Sequence, residues 1–163
     1  MKRYVISIAV TFFSLLIAFS LCYGEPDLKV AGRIRTTGAA SFVGENIVVP
    51  ISLGIENRGD SAAGPFQLSI MQLLPAPPGA EQEVEFTGTR IFSGLEPRRR
   101  AGSLSIAGNA IIHKSFAGQK VKIRAIVDSM GQVVESNEKN NHSPWLEVQM
   151  PIRVERPPLT PMK

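Results

Sequence analysis

Strict alternation of apolar and polar residues is the feature that most limits how this chain can fold. In the longest run, every second position is apolar and the positions between are mostly small or polar: Ile47, Val49, Ile51, Leu53 and Ile55. Successive side chains of an extended strand point to opposite faces, so this run predicts a strand with one buried face. Pro50 interrupts the run. Because proline cannot donate a hydrogen bond to a ladder, we expect that point at a sheet edge or a bulge.

Shorter segments alternate in the same way, and residues that favour turns separate them. They predict strands near residues 28–34, 66–70, 84–86, 104–106, 121–127 and 146–152, with Val84 and Phe86 on the buried face of the third. No segment shows a convincing helical period of apolar residues. About seven short strands joined by Gly- and Pro-containing turns predict an all-β protein, an antiparallel β-sandwich. A barrel is the alternative.

The first 24 residues are typical of an export signal. Lys2 and Arg3 precede an uncharged stretch from residue 4 to 23, and the small Gly24 stands before a polar segment. This order predicts a secretory signal peptide that is cleaved after Gly24. Two alternatives stay open: the apolar stretch is long enough to remain as a membrane anchor, and Cys22 could carry a lipid, although Leu21 stands where bacterial lipoproteins have a small residue. We therefore expect a periplasmic or secreted protein.

Signal removal would change the charge and cysteine content of the chain. Loss of Lys2 and Arg3 would leave 16 basic against 14 acidic residues, a net charge of +2, and the single cysteine would leave as well. We expect a sandwich domain over residues 25–155 without disulfides, then a flexible Pro-rich tail over residues 156–163. The modest charge gives nucleic-acid binding no support. Two distant histidines, His113 and His142, and no nucleophile or metal motif predict that the protein is not an enzyme.

One segment near the C-terminal end carries a family resemblance. Residues 126–141 read IVDSMGQVVESNEKNN. This resembles the V-D-x-x-x-x-V-x-E-x-N-E-x-N-N signature of the CARDB family, the cell-adhesion-related domain found in bacteria. The P-D-L sequence at residues 26–28 and IENRG at residues 55–59 are similar to further pieces of the family pattern, so the resemblance extends over residues 26–152.

The resemblance implies an immunoglobulin-like β-sandwich that is exported and serves adhesion or binding without a common catalytic activity. Family members usually occur as repeated modules in bacterial and archaeal surface proteins, whereas this chain carries one copy. The signature loop contains the following matched polar residues: Asp128, Glu135, Asn137, Glu138, Asn140 and Asn141.

The signature loop has two interpretations. Asn and Asp side chains bond to their own nearby backbone and tolerate left-handed conformations, so the loop can hold a fixed shape without a ligand. Its carboxylates are also oxygen ligands of the kind that calcium prefers, at Asp128, Glu135 and Glu138. The EF-hand spacing is absent, so we expect a structural loop and no cofactor, and calcium stays an open alternative.

The sharpest charge cluster is Arg98-Arg99-Arg100. Such a run is usually a solvated loop, but it could also bind an anionic glycan, a lipid headgroup or an acidic protein patch. We therefore predict an exported, non-catalytic adhesion-type module that recognises an envelope or surface protein or glycan, through loops at one end of the sandwich or an exposed sheet edge. The alternative is an accessory subunit of an envelope assembly such as a pilus or secretion system. A hydrolase is a minor third hypothesis, and the oligomeric state stays open.

Overall fold

Two antiparallel sheets stacked face to face form the protein in a computed structural model that describes residues 24–74 and 84–153. The strands are β1 (Leu28–Thr36), β2 (Ser41–Val43), β3 (Asn46–Asn57), β4 (Phe66–Leu73), β5 (Val84–Phe92), β6 (Ser103–His113), β7 (Lys120–Ile126) and β8 (Leu146–Gln149). Single 3₁₀ turns stand at Arg98–Arg100 and Lys114–Phe116. The predicted signal peptide and most of the predicted tail lie outside the described residues.

Each sheet contains four strands. In the first sheet, β3 is central, β6 pairs along one side of it, and β1 and then β2 pair along the other side. The second sheet has the order β5-β4-β7-β8. The predicted β-sandwich is therefore confirmed, with the short β2 as a strand that the sequence pattern did not indicate.

The core consists of the inward-facing residues of both sheets. The alternation predicted for β3 is confirmed, because its five apolar residues are all at most 5% exposed. Phe66 of β4 stacks on Phe92 of β5 with ring centroids 5.1 Å apart. Both Ile123 and Val148, in the second sheet, are buried. Burial of each large aliphatic side chain contributes about 1.5–3 kcal/mol relative to exposure, so this core can hold the fold without a disulfide.

The expectation that Pro50 lies at an edge or bulge is wrong, because β3 is the central strand of its sheet. Pro50 pairs with Asn109 of β6, and its carbonyl accepts from the N–H of Thr37 at 3.0 Å on the opposite side. A residue's N–H and C=O point to the same side of an antiparallel strand. The missing N–H therefore falls where the neighbour of β3 changes from β1 to β2, and no ladder bond is lost.

Two other predictions from alternation are wrong near strand ends. Phe86 is 55% exposed, because the register of β4 and β5 shifts between Ile70 and Met71 and leaves Thr87 as the extra, buried residue. A one-residue bulge moves the following side chains to the other face. The last strand ends at Gln149, and Ile152, predicted to continue it, is 76% exposed.

Candidate functional site

Three connecting loops and the segment before β1 meet at one end of the sandwich. The loops are residues 58–65, 93–102 and 127–145, and the segment is residues 24–27. We call this region the loop end. It brings together the two predicted site regions, the Arg98–Arg100 cluster and the signature loop, which are about 30 residues apart in sequence.

Asn57 is the residue that holds the loop end together, and the sequence analysis missed its role. Its side chain is fully buried. The Oδ1 atom accepts from the backbone N–H groups of Asp27 and Gly59, each at 3.0 Å. The Nδ2 atom donates to the carbonyls of Ser61 at 2.8 Å and Leu95 at 2.9 Å. An Asn-x-Gly sequence at the end of a buried strand was the available signal, because it places an amide beside a turn.

Asp128 shapes the start of the signature loop. Its φ angle is 48°, in the left-handed region that Asp tolerates better than most residues. Its two carboxylate oxygens accept from the N–H groups of Gln132 and Val133, both at 2.9 Å. The side chain therefore bonds to its own loop, as the structural interpretation of the signature describes.

Glu135 joins the signature loop to the first strand. Its carboxylate accepts from the backbone N–H of Leu28 and from Asn141 Nδ2, the latter at 2.9 Å. The residue is only 6% exposed. Burial raises the pKa of the Glu135 carboxyl to about 7, although the hydrogen bonds from Leu28 and Asn141 act in the opposite direction. Asn140 adds a second link by donating to Asp27 Oδ1 at 2.7 Å.

The remaining signature residues also bond within the loop. Asn137 Oδ1 accepts from the N–H of Lys139 at 3.2 Å, and Glu138 Oε1 accepts from the N–H of Glu135 at 3.0 Å. All three carboxylates named as calcium candidates thus accept N–H bonds. Within residues 24–74 and 84–153, no three His, Cys, Asp or Glu side chains are grouped as a metal site requires.

The Arg98–Arg100 cluster forms an exposed 3₁₀ turn, but part of its charge is neutralised. Arg98 Nε lies 3.9 Å from a Glu56 carboxylate oxygen, and Arg58 Nε lies 2.6 Å from the other oxygen of the same carboxylate. Arg99 lies 3.4 Å from the Asp60 carboxylate and donates to the Asp60 carbonyl at 2.9 Å. Arg100 pairs with no carboxylate of the described chain. The cluster therefore offers less free charge than its sequence indicates.

The side of the sandwich formed by β5 and β6 is open. Each of these strands pairs along one edge only in the described part of the chain, β5 with β4 and β6 with β3. We call this region the open side. β6 extends over eleven residues and contains no proline and no Lys, Arg, Asp or Glu. Long edge strands usually carry charges, prolines or bulges that prevent pairing with another chain, and β6 has none of these charges or prolines.

An apolar pocket of about 180 Å³ lies between the two edges of the open side. Gly108 in β6 leaves room for it, because a Cβ atom on Gly108 would meet nothing within 4 Å. At Gly88 in β5, a Cβ atom would lie 3.0 Å from the Asn109 carbonyl oxygen, so the two strands approach each other closely there. Five of the eleven lining residues are large aliphatic residues: Ile51, Leu53, Leu68, Ile70 and Ile106. Thr89, Arg90 and Asn109 add polar groups to its lining. The sequence analysis missed this pocket. A single glycine within each strand pattern was its only signal.

The other residues considered from sequence lie apart. His113 ends β6, whereas His142 lies in the loop end and forms a bridge to Ile126. Trp145 is 36% exposed at the start of β8, with the Arg124 guanidinium 4.5 Å from its ring centre. Among the residues described, no helix has the length and apolar character needed to cross a bilayer.

Comparison with solved structures identifies the class of fold. The chain is similar to the crystal structure of a CARDB domain from Pyrococcus furiosus, in complex with di-metal ions, with a TM-score of 0.55 and 18% identity over 79% of this chain and 96% of that one. The solution structure of that domain gives a TM-score of 0.52 and 19% identity, over 79% and 98% of the two chains. No family model and no curated protein matches the sequence. The fold is therefore that of a CARDB domain, as the resemblance of residues 126–141 predicted.

Proposed function

We propose that this protein is an exported, non-catalytic binding module whose partner is an extended segment of an envelope or surface protein. The segment would add as a strand along the free edge of β6. The single observation that carries this proposal is the length and neutrality of that edge, which is eleven residues long without a proline or a formally charged residue. Strand addition supplies main-chain hydrogen bonds, and neighbouring pockets supply specificity.

The backbone of β6 supports this mode of binding. Pro50 lacks an N–H and directs its carbonyl towards Thr37, so the opposite residue Asn109 directs its own backbone groups away from β3. The same holds for every second residue of the strand, including Ala107 and Ile111. The outward groups of Ala107 and Ile111 would therefore be open to an incoming strand. β5 lies against the Asn109 carbonyl between them, whose oxygen is 3.0 Å from the position of a Cβ atom on Gly88.

The apolar pocket beside this edge supports a partner that carries an apolar side chain. Alternate side chains of an added strand would face the gap between the sheets, where Gly108 leaves space. A pocket of about 180 Å³ is smaller than the usual site for a drug-sized ligand, and it suits a single aliphatic side chain.

No comparable arrangement of residues supports a catalytic function. The histidines lie at different ends of the sandwich, and the Asp128 carboxylate accepts from two backbone N–H groups of its own loop. Although the similar archaeal domain is described as a di-metal complex, the loop carboxylates here are engaged by N–H donors. We therefore propose neither an enzyme nor a resident metal for this chain.

The alternative is an accessory subunit of an envelope assembly such as a pilus or secretion system. The same edge would serve this role, because subunits of such assemblies also bind by strand addition. Co-purification with a larger complex would favour the subunit, whereas a monomer in the culture fluid would favour a free binding module.

Substitution of Ala107 tests the proposal at the free edge. Ala107→Pro removes one outward N–H without breaking a bond to β3, and Ala107→Ser keeps that N–H as the matched control. Both variants and the wild type would be immobilised and exposed to envelope extract of the native host, and retained proteins would be compared by mass spectrometry. We expect a protein that the wild type and Ala107→Ser retain and Ala107→Pro loses.

Circular dichroism and the melting temperature would establish that each variant is folded. Equal retention of all proteins by Ala107→Pro would show that the edge is not the binding surface. Retention of no protein by the wild type would contradict the proposed function as a whole.

A further inference from the structure

The outer face of the first sheet carries two arginines that no part of the proposed function uses. Arg33 and Arg35 are both exposed on β1. They line a shallow concavity of about 220 Å³ together with Ala31 and Gly32 of the same strand and residues of β3 and β6: Ser52, Leu53, Gly54 and Ser105. This face is distinct from both the loop end and the free edge of β6.

A bulge in β1 creates this arrangement. Ala31 pairs with Gly54 and Arg35 pairs with Ser52, so two additional residues of β1 are accommodated between these pairs. Gly32 has a φ angle of +82°, which a residue with a side chain rarely adopts. The bulge re-aims the following residues, and both guanidinium groups therefore border the same concavity.

The two arginines have no acidic partner among residues 24–74 and 84–153. Every ion pair of the described residues involves other basic groups, such as Lys29, whose ammonium lies 3.9 Å from Glu56. Glu56 is the one acidic residue in β1, β3 and β6. The Glu56 carboxylate already forms ion pairs with Arg58 and Arg98 at the loop end. The concavity therefore keeps two uncompensated positive charges, in contrast to the Arg98–Arg100 cluster.

The polar groups beside the arginines indicate which anion fits. Ser52 and Ser105 contribute hydroxyl groups, which both donate and accept hydrogen bonds, as sugar hydroxyls do. Guanidinium groups bind carboxylates through two parallel hydrogen bonds. No helix N-terminus borders this face, although phosphate sites commonly use one. The concavity is also below the usual volume of a drug-sized site, so one sugar unit would occupy it.

We propose that this concavity binds a carboxylated sugar unit of an acidic polysaccharide, with Arg33 and Arg35 on the carboxylate and Ser52 and Ser105 on ring hydroxyls. The inference stands apart from strand addition at β6, since it uses a different surface and a different chemistry. The competing explanation is that the arginines merely protect the free edge of β1 from pairing with another chain.

Trigalacturonate is the probe, and its trimethyl ester is the matched ligand without charge. Binding to the full chain would be followed by calorimetry and by amide chemical shifts at about 50 mM salt, where exposed charges are only partly screened. We expect the ester to bind at least tenfold more weakly than trigalacturonate. The largest shifts should occur at Arg33, Ser52, Gly54 and Ser105.

Two double variants separate this site from general attraction between charges. Arg33→Gln with Arg35→Gln should weaken binding at least tenfold, because it removes both charged partners of the carboxylate. Lys122→Gln with Lys139→Gln removes the same charge from exposed positions elsewhere. This control should alter binding less than twofold. Ala107→Pro should leave the affinity for trigalacturonate unchanged even if it abolishes capture of a protein partner.

Several results would overturn the inference. Absence of trigalacturonate binding would leave the arginines as edge protection only. Equal loss of affinity in both double variants would show a non-specific charge effect. Inorganic phosphate that competed at equal concentration would show an anion site without selectivity for a sugar.

Discussion

The loop end and the open side satisfy their polar groups in opposite ways. At the loop end, buried amides and carboxylates bond to backbone groups of several segments. The side chain of Asn57 by itself bonds to the segment before β1, to the loop over residues 58–65 and to the loop over residues 93–102. On the open side, the outward backbone groups of β5 and β6 form no ladder with another strand in the described chain, although the Asn109 carbonyl lies against Gly88. An apolar pocket lies between the two edges.

Because of this difference, we expect the loop end to determine the stability of the fold and the open side to be available for binding. Buried polar groups are costly unless they are hydrogen-bonded, so the loop end must remain assembled for the sandwich to stay closed. Exposed backbone at an edge is solvated and remains free to pair with another strand. Substitutions at the loop end should therefore change the free energy of unfolding, whereas substitutions on the open side should change binding.

Asn57→Ala should have the largest effect on stability. It removes four hydrogen bonds and leaves the N–H groups of Asp27 and Gly59 and the Ser61 carbonyl without partners, whereas the Leu95 carbonyl still accepts from the N–H of Ala63. We expect a loss of about 3–5 kcal/mol in the free energy of unfolding, measured with urea. Asn109→Ala, an exposed amide on the open side, is the control and should cost less than about 0.5 kcal/mol. Similar costs for both variants would contradict the distinction between the two regions.

Glu135→Gln should remove a pH dependence that originates at the loop end. The pKa of Glu135 is about 7 in the folded protein, against 4.5 for an ordinary glutamate. Because the folded state holds this proton more tightly, its contribution to stability is complete below pH 4.5 and is lost as the pH rises through 7. The loss is on the order of 3 kcal/mol.

The measurement is the free energy of unfolding of both proteins between pH 4.5 and 8. Only the wild type should lose stability from this group as the pH rises, so the free energy of unfolding of the variant should rise relative to that of the wild type towards the upper end of the range. The amide has one acceptor oxygen fewer for Leu28 and Asn141, which lowers the stability of the variant by a similar amount at every pH. Parallel curves for the two proteins would show that the buried carboxyl does not have a raised pKa.

Gly108→Val should separate stability from binding on the open side. A Cβ atom at Gly108 meets nothing within 4 Å, so valine can fill the pocket, and β-branched residues favour strands. We expect the free energy of unfolding to rise by up to about 1 kcal/mol, while capture of the partner is lost. Gly54→Val is the comparison variant, because a Cβ atom at Gly54 would lie 3.2 Å from Ala31 Cβ. Gly54→Val should therefore destabilise by about 1 kcal/mol or more. Retained capture by Gly108→Val would exclude the pocket from recognition.

Calcium should have the smallest effect. The carboxylates of the signature loop already accept N–H bonds, so the melting temperature in about 1 mM calcium should differ by less than about 1 °C from that in chelator. A clear rise with calcium that Glu135→Gln or Asp128→Asn abolishes would show that the loop binds the ion. In that case the loop end would be both a stabilising and a binding region.

The extended, half-buried strands were predictable because alternation is a local property. In β3, the apolar residues at every second position all lie on the face that is buried in the core. The signature loop was predictable for a similar reason, since Asp128 bonds to residues only four and five positions away. The resemblance to the CARDB family added the fold, and the comparison with solved structures confirmed it.

Long-range features could not be derived from local patterns. Asn57 bonds to residues 30 and 38 positions away. The ion pairs that reduce the charge of the Arg98–Arg100 cluster join it to the end of β3 and to the loop that follows it. The bulge that exposes Phe86 depends on the register between β4 and β5.

The sequence by itself determined that strands form and which of their faces are mostly apolar, since side-chain direction in a strand alternates with each residue. Only the tertiary structure decided which strands are neighbours, and therefore that Pro50 is central. It also decided that, within the part of the chain that the structure describes, β6 has a free edge and Arg33 and Arg35 have no acidic partner. These properties depend on distances between residues far apart in the chain, and packing of the two sheets fixes those distances.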